Sequence, residues 1–124
     1  MTAAHLHPAI PQLPCADIET TAKFFERTLG FEVIAKYPQN NLVIVRREQA
    51  EIHFWQASSA AEARAIASQS SCYIRVDNIE SLFAELKQNA APFRFELTKQ
   101  PWGMHELQID DPDGNAIRFG ERIV

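Results

Sequence analysis

Polar and aromatic side chains alternate with apolar ones in several short segments of the chain. In the segment AEIHFWQ, His53 and Trp55 alternate with apolar residues, and in CYIRV the residues Tyr73 and Arg75 do the same. Since successive strand residues point to opposite faces of a sheet, each segment separates its polar side chains from its apolar ones. The side chains that this alternation collects are Gln12, His53, Trp55, Tyr73, Arg75, Trp102, Glu106, Gln108 and Arg118.

This set of side chains favours a pocket for a planar organic ligand. Aromatic side chains with a few polar groups are typical of small-molecule sites, whereas a solvated sheet face rarely gathers two tryptophans and a tyrosine. Trp102, which precedes Gly103 in a Pro-Trp-Gly loop, is the strongest single candidate, and Tyr37 could line the mouth of the pocket. The alternatives are a solvated face of an antiparallel sheet, an aromatic lid on the core for Trp102 and a surface turn for Tyr37.

The sequence offers little for catalysis. It contains no GxSxG motif, P-loop or dinucleotide fingerprint. Cys15 and Cys72 fall on apolar faces, where a thiol is a poor nucleophile. Glu106 and His53 could form an acid-base pair only within hydrogen-bond reach of each other. We therefore predict no catalytic residue.

Two amphipathic helices are predicted, one in each half of the chain. The first begins after a capping Asp17 and ends near Gly30, and the second begins at the capping-box pair Asp77 and Glu80. Each follows a short shared motif, Ile-Glu-Thr or Ile-Glu-Ser, which suggests an internal repeat. The apolar stripes at helical spacing are Ile18, Ala22, Phe25 and Leu29, and then Ile79, Phe83, Leu86 and Ala90.

The predicted strands surround these helices in the order βαβββ, twice. Their ranges are residues 9–15, 31–36, 41–47 and 51–56, and then 72–76, 94–97, 104–110 and 115–121. Ser59 and Glu62 have capping-box spacing and predict a short helix in the linker. We expect one α+β domain over residues 1–124, with module one at about 8–57, a linker at 58–70 and module two at about 71–124.

The segment PWGMHELQIDDPDGNAIRFGE contains an explicit turn. Asp111 and Pro112 suit the first two positions of a type I turn, and Gly114 can adopt a positive φ at its end. A calcium site built from Asp110, Asp111, Asp113 and Asn115 is an alternative. It lacks the alternating ligands and the distal Glu of an EF-hand loop, so we expect a structural turn.

The two βαβββ modules, the DPDGN turn and the preceding PWG resemble the glyoxalase, bleomycin-resistance and dioxygenase superfamily, also called vicinal oxygen chelate proteins. The resemblance covers about residues 9–123 and is greatest to bleomycin-resistance proteins. It implies a half-open, cavity-enclosing mixed sheet with helices on the outer face, and a Trp102 that stacks on a flat ring. It also implies a homodimer, in which the N-terminal strand is exchanged with Pro8 or Pro11 as the hinge; a proline that starts an edge strand is the alternative.

The resemblance also assigns four metal-ligand positions in the metal-dependent members. In this sequence they fall on Ile10, His53, Ser71 and Arg118. Only His53 is a plausible ligand, because an isoleucine cannot coordinate and a guanidinium repels a cation. His5 and His7 lie near the first strand and could be recruited, but nothing in their spacing requires it. We expect no metal and no cofactor.

Composition and charge narrow the function further. The chain is 46% hydrophobic with a net charge of -4, and it has no basic stripe and no apolar membrane span. Its first ten residues show neither a basic nor an apolar region, so we expect no signal peptide. We predict a cytoplasmic, non-catalytic protein that sequesters a planar, polar organic ligand, for example a bleomycin-family antibiotic, in a dimer cavity. The alternatives are a metal-dependent glyoxalase- or dioxygenase-like enzyme with altered ligands and a dimer with a vestigial cavity. Arg75 and Arg118 offset Glu51 and Glu106, which disfavours a strongly cationic drug and admits an anionic group at Arg118.

Overall fold

The computed structural model describes residues 2–124 and contains two βαβββ modules joined by a helical linker. Module one comprises β1 (Gln12–Cys15), α1 (Ile18–Arg27), β2 (Glu32–Tyr37), a 3-10 turn (Pro38–Asn40), β3 (Leu42–Arg47) and β4 (Ala50–Gln56). The linker holds α2 (Ala60–Ala67). Module two comprises β5 (Ser71–Arg75), α3 (Ile79–Gln88), β6 (Phe93–Lys99), β7 (Met104–Asp110) and β8 (Ala116–Arg122).

Each module forms its own four-stranded mixed sheet, which confirms the predicted fold class. The strand orders are β1-β4-β3-β2 and β5-β8-β7-β6, so the modules repeat the same topology. In each sheet the first strand runs parallel to the last strand and the remaining pairs are antiparallel. The sheets are separate and open within one chain, whereas we expected a single half-open sheet around a cavity. One chain therefore presents two uncovered sheet faces.

The apolar faces of both sheets meet the helices in one shared core. Buried side chains of the first module, such as Phe25 and Phe54, belong to the same cluster as Leu86, Leu107 and Ile117 of the second. This burial follows the alternation in the sequence, because every second strand residue points inward. Both cysteines are free and buried. Burial raises the pKa of each thiol to about 12, so neither is a ready nucleophile.

Helices α1 and α2 have the predicted N-caps, but α3 does not. Asp17 accepts a hydrogen bond from Thr20 N at the start of α1, and Ser59 caps α2 in the same way. At α3 the N-cap is Asn78, which adopts a positive φ of 62°, and not Asp77. Glu121 of β8 accepts hydrogen bonds from the backbone N–H groups of Asn78 and Ile79. A carboxylate from a distant strand thus completes a cap that the local sequence assigns to Asp77 and Glu80.

The buried stripe of α3 also differs from the prediction at two positions, since Phe83 is only partly buried and Ala90 is exposed. Ala90 lies beyond the helix, is exposed and has a φ of 55°, whereas Leu82 is buried within it. The helix ends at Gln88, so the helical spacing does not extend to residue 90. The main chain then turns inward, and Ala91 is buried instead.

The first strand is shorter than predicted. It begins at Gln12, and Ile10 ahead of it is 41% exposed. Pro11 lies just before the strand, where its carbonyl accepts a hydrogen bond from His53 N. A proline has no N–H to donate to a ladder, which fits its place at the start of the strand. Residues 2–11, which precede this strand, contain no helix or strand.

The DPDGN turn joins the two modules. Gly114 N donates to Asp111 O at 3.0 Å, as expected for the turn, and Gly114 has a φ of 100°. Asn115 Nδ2 donates to Pro14 O at 2.9 Å, and Ala16 N donates to Asp113 Oδ1 at 3.2 Å. Because Pro14 belongs to β1, the turn fixes the end of the first strand of the other module.

Among the described residues, no helix is long and apolar enough to cross a membrane.

Candidate functional site

The uncovered face of the second sheet carries a cluster of three predicted site residues. Tyr73 of β5 donates its hydroxyl hydrogen to Glu106 Oε2 of β7 at 2.6 Å. Trp102 Nε1 donates to the same oxygen at 3.4 Å. The carboxylate of Glu106 is therefore the point at which the tyrosine and the tryptophan meet.

Gly120 makes this cluster possible and was missed at the sequence level. It lies on β8 between Arg75 and Glu106 in the strand register. A Cβ atom built on Gly120 would clash with the Tyr73 hydroxyl and lie 2.6 Å from Cζ. The tyrosine ring thus crosses β8 where there is no side chain. A glycine inside an otherwise regular strand was the available signal, because such a residue often marks a close approach.

Glu106 is a buried carboxyl group at the centre of this face. It is only 2% exposed, and its Oε1 atom has no hydrogen-bond partner among the described residues. Burial, the hydrogen bond to Glu106 and the charge of Glu106 raise the pKa of Tyr73 to about 12. The tyrosine hydroxyl therefore remains protonated, and able to donate, across the ordinary pH range.

Trp102 projects from a tight hairpin turn between β6 and β7. Gly103 N donates to Gln100 O at 3.1 Å, and Gly103 adopts a φ of 83° at the end of the turn. The residue Trp102 is 62% exposed. This exposure excludes the alternative in which Trp102 is an aromatic lid on the core. The turn and the hydrogen bond to Glu106 hold an exposed aromatic ring at the edge of the uncovered face.

A second network on the same face is centred on Arg118. Its Nε and Nη2 atoms donate to Gln108 Oε1 at 3.1 and 2.8 Å. Gln108 Nε2 donates in turn to Asp110 Oδ1 at 3.1 Å, and Asp110 pairs with Arg94 at 2.7 Å. The Arg118 guanidinium carbon lies 5.3 Å from the centroid of the Phe95 ring. Phe95 was not among the predicted site residues, because alternation alone groups it with Phe93 and Leu97 on the apolar face. An irregularity in the β6–β7 register pairs it with Gln108 instead.

The remaining predicted residues of module one lie on the uncovered face of the first sheet. Gln12, His53 and Ile44 are adjacent across β1, β4 and β3, and Trp55 pairs with Leu42, which pairs with Tyr37. His53 Nε2 lies 2.7 Å from Glu51 Oε2. In the described part of the chain no hydrogen bond joins His53 to Glu106, so the acid-base pair considered from the sequence does not form.

The two groups of site residues are on different sheets within one chain. Across residues 2–124, no side-chain hydrogen bond or ion pair connects the group around His53 with the group around Glu106. Arg75 lines a separate cleft of about 570 Å³ that lies between the turn after β3 and the start of α3. That cleft is also lined by Arg47, Glu85 and Phe119, and none of the other predicted site residues borders it.

The donor set does not fit the divalent ion of the metal-dependent proteins that the sequence resembles. In strand register, His53 pairs with Gln12 and Arg118 pairs with Tyr73. Ile10 and Ser71, the other two positions that the resemblance assigns, offer neither a carboxylate nor an imidazole. His53 lies against Glu51, Glu106 accepts a hydrogen bond from Tyr73, and the fourth position carries a guanidinium, which repels a divalent cation. Over residues 2–124, no group of three or more His, Cys, Asp or Glu side chains has the arrangement of a metal site.

Comparison with known families agrees with the topology. The profile of the Glyoxalase/Bleomycin resistance protein/Dioxygenase superfamily matches residues 4–119. The chain belongs to this superfamily. The match includes module one, the linker helix and module two as far as the first four residues of β8, so every predicted ligand-face residue lies within it.

Individual members of the superfamily are similar over nearly the whole chain. A bleomycin resistance protein of Geobacillus stearothermophilus is 28% identical over 130 aligned positions, which cover 93% of this chain and 96% of the relative. The crystal structure of a bleomycin resistance determinant encoded on the transposon Tn5 superposes with a TM-score of 0.80 at 24% identity, covering 96% of this chain and all of that one. A bleomycin-binding protein of Streptomyces verticillus, in complex with copper(II)-bleomycin, has a TM-score of 0.78 at 23% identity, covering 94% and 97%.

Proposed function

We propose that this protein binds and sequesters a planar, polar organic ligand of the bleomycin class without converting it. The observation that carries the proposal is the exposed Trp102, which a tight turn and a hydrogen bond to the buried Glu106 hold at the edge of an uncovered sheet face. An indole fixed in this way offers a flat apolar surface at little cost in conformational entropy. The names of the relatives support a bleomycin-type antibiotic as the ligand.

The binding cavity is completed by a second copy of the chain. Within one chain the group around Trp55 and the group around Trp102 occupy two separate open sheets. A homodimer with two-fold symmetry can place the first sheet of one copy opposite the second sheet of its partner, which forms two equal sites. The exposed segment ahead of β1, which includes Leu6 and Ile10, is available to cross to the partner. Pro8 and Pro11 lie where a hinge for such an exchange would be needed.

Protection by such a protein follows from mass action, since a bound antibiotic cannot reach its target. The residues around His53 and Arg118 do not fit a divalent metal ion, and we therefore propose no metal that would polarise a substrate. The two free, buried cysteines suit a reducing compartment, and we place the protein in the cytoplasm.

A fluorescence titration with metal-free bleomycin tests the proposal. We expect a saturable change in tryptophan emission at about one drug molecule per chain. Trp102→Ala should abolish saturable binding while Trp55 continues to report, and Trp55→Phe should retain the response. Metal analysis and sedimentation of the same sample would measure bound ions and the number of chains in the particle. A flat titration up to millimolar drug would exclude bleomycin as the ligand.

A further inference from the structure

We propose that Arg118 binds an anionic group of the ligand, such as a carboxylate or a sulfonate, and so selects planar molecules that carry a negative charge beside their ring. This inference rests on the proposed function in one respect, namely that the ligand occupies the uncovered face of the second sheet. It specifies a feature of the ligand that the likeness to bleomycin resistance proteins does not supply. It also assigns a role to the residue that stands where metal-dependent members carry a ligand.

The hydrogen bonds of Arg118 use only one side of its guanidinium group. Nε and Nη2 both donate to Gln108 Oε1, at 3.1 and 2.8 Å. Nη1 has no hydrogen-bond partner among the described side chains and main-chain groups. A guanidinium presents five N–H donors in a planar fork, and its two terminal nitrogens together match the two oxygens of a carboxylate. Nη1 and the second N–H of Nη2 therefore remain available and together form a bidentate donor.

The guanidinium is also held in place before any ligand arrives. Gln108 orients it and is itself fixed by a hydrogen bond to Asp110, which is paired with Arg94. The ring of Phe95 lies 5.3 Å from the guanidinium carbon and covers one face of it. Because a side chain that is already ordered loses little entropy on binding, this arrangement favours recognition of an anion.

The charge of Arg118 has no opposite charge in contact with it. Within residues 2–124, no carboxylate oxygen lies within 4.0 Å of the group, whereas Arg47 and Arg94 each pair with a carboxylate at 2.9 and 2.7 Å. Glu106, on the adjoining strand, is bonded to Tyr73 and Trp102 instead. A partly buried, unpaired cation is costly, and an incoming anion would remove that cost.

Trp102 and Arg118 divide the recognition of such a ligand between them. Trp102 lies in the turn before β7, where it donates to Glu106, and offers the flat surface. Arg118 pairs in register with Gln108, which lies two residues beyond Glu106 on β7. A ring with one attached acidic group fits this order of apolar surface and positive charge.

A matched pair of dyes distinguishes binding of the anionic group from binding of the aromatic rings. Anilinonaphthalene sulfonate and N-phenylnaphthylamine share their aromatic rings, and only the first carries a sulfonate. Both become fluorescent in an apolar site. We expect wild-type protein to bind the sulfonate about tenfold more tightly than the neutral dye. Arg118→Gln should reduce this ratio to about one to threefold, and Arg118→Lys should leave an intermediate value because a single ammonium replaces the fork. Arg64→Gln, on the exposed α2, is the matched control and should keep the wild-type ratio.

Each outcome decides the inference independently of bleomycin. An equal preference for the sulfonate in wild type and Arg118→Gln, or no saturable binding of either dye, would overturn it. A preference that depends on Arg118 in a protein that ignores bleomycin would uphold it and overturn the proposed drug instead. Far-ultraviolet circular dichroism and the unfolding midpoint of each variant confirm that a lost preference reflects the site. Salt should weaken the sulfonate more than the neutral dye, since only the former is held by charge.

Discussion

Tyr73 and Glu106 are joined by a 2.6 Å hydrogen bond that passes over Gly120. The donor lies on β5 and the acceptor on β7, and the strand between them has no side chain at the crossing point. Glu106 in turn accepts the indole N–H of Trp102. Three strands and a turn are thus connected through one carboxylate, and the position of the exposed indole depends on a glycine that never contacts it.

Gly120→Ala should destabilise the protein by about 2 kcal/mol. The new Cβ atom would lie 2.6 Å from Tyr73 Cζ, so the ring must leave its place and the buried Glu106 would lose its hydroxyl donor. Urea unfolding measures the loss. In a Tyr73→Ala background the same substitution should cost much less, because no ring is present to be displaced. Equal costs in the two backgrounds would show that the crossing does not restrict residue 120.

Asn115→Asp should cost more than about 3 kcal/mol in the free energy of unfolding. The buried Asn115 amide donates to Pro14 O and to Asp111 Oδ2, both at 2.9 Å. A carboxylate in its place removes both donors and sets a second negative charge beside Asp111. The effect should be visible in thermal and urea unfolding.

Asn89→Asp is the matched control for that substitution. Asn89 Nδ2 also donates to a main-chain carbonyl of the other module, Thr28 O, at 3.1 Å, but the site is exposed. Water can replace the lost donor there, so we expect a change of at most about 1 kcal/mol. If the two variants lost equal stability, the burial of the turn would not explain its effect.

Much of the fold could be predicted because its signals are local. Alternating polar and apolar residues located β7 without error, and side-chain caps located the starts of α1 and α2. The N-terminal cap of α3 could not be predicted, because part of it comes from a distant strand. Glu121 lies 43 and 42 positions from Asn78 and Ile79, whose N–H groups donate hydrogen bonds to it. The first strand was overestimated because alternation continues through Ile10 although pairing starts only after Pro11.

The candidate site was predictable as a face and not as a set of contacts. Alternation placed Tyr73, Glu106 and Arg118 on the same side of the sheet. It contained no information on which strands are neighbours, and the partners of a side chain depend on that order. Gly120 and Phe95 therefore acquired roles only in the assembled sheet, and His53 paired with Glu51 on its own strand instead of with Glu106.

The ion pair between Arg47 and Glu85 should contribute more stability than an exposed pair of the same charges. Two parallel hydrogen bonds of 2.9 Å join the side chains across the modules, and Arg47 also donates to Leu29 O. A double-mutant cycle with Arg47→Gln and Glu85→Gln should give a coupling of about 1 kcal/mol.

Lys87 and Glu96 provide the comparison within the same chain. Their single contact of 3.1 Å joins side chains that are 52% and 57% exposed, against 30% and 38% for Arg47 and Glu85. We expect a coupling below about 0.5 kcal/mol, which added salt removes. A larger coupling for the lysine pair would contradict the assignment of Arg47 as a link between the modules.

The stability of the protein should carry a pH dependence that originates at Asp111. Burial raises the pKa of this carboxyl from its ordinary value of 3.8 to about 6, and it does so against the hydrogen bonds from Asn115 and Asp113. A carboxyl with a raised pKa in the folded state favours the fold while it is protonated. Its contribution is therefore complete below about pH 4 and is lost as the pH rises through about 6. The difference between the two pKa values corresponds to about 3 kcal/mol.

Asp111→Asn isolates this contribution. Other carboxyls act in the opposite direction, because hydrogen bonds lower the pKa of Asp17 and Glu121, so the wild-type profile alone mixes several groups. The variant retains those groups and removes the titration at residue 111. Urea unfolding from pH 4 to pH 7 should show the wild type losing stability relative to the variant as the pH rises, by about 3 kcal/mol over the range. A difference that stays flat, or that grows in favour of the wild type, would mean that the hydrogen bonds to Asp111 outweigh its burial.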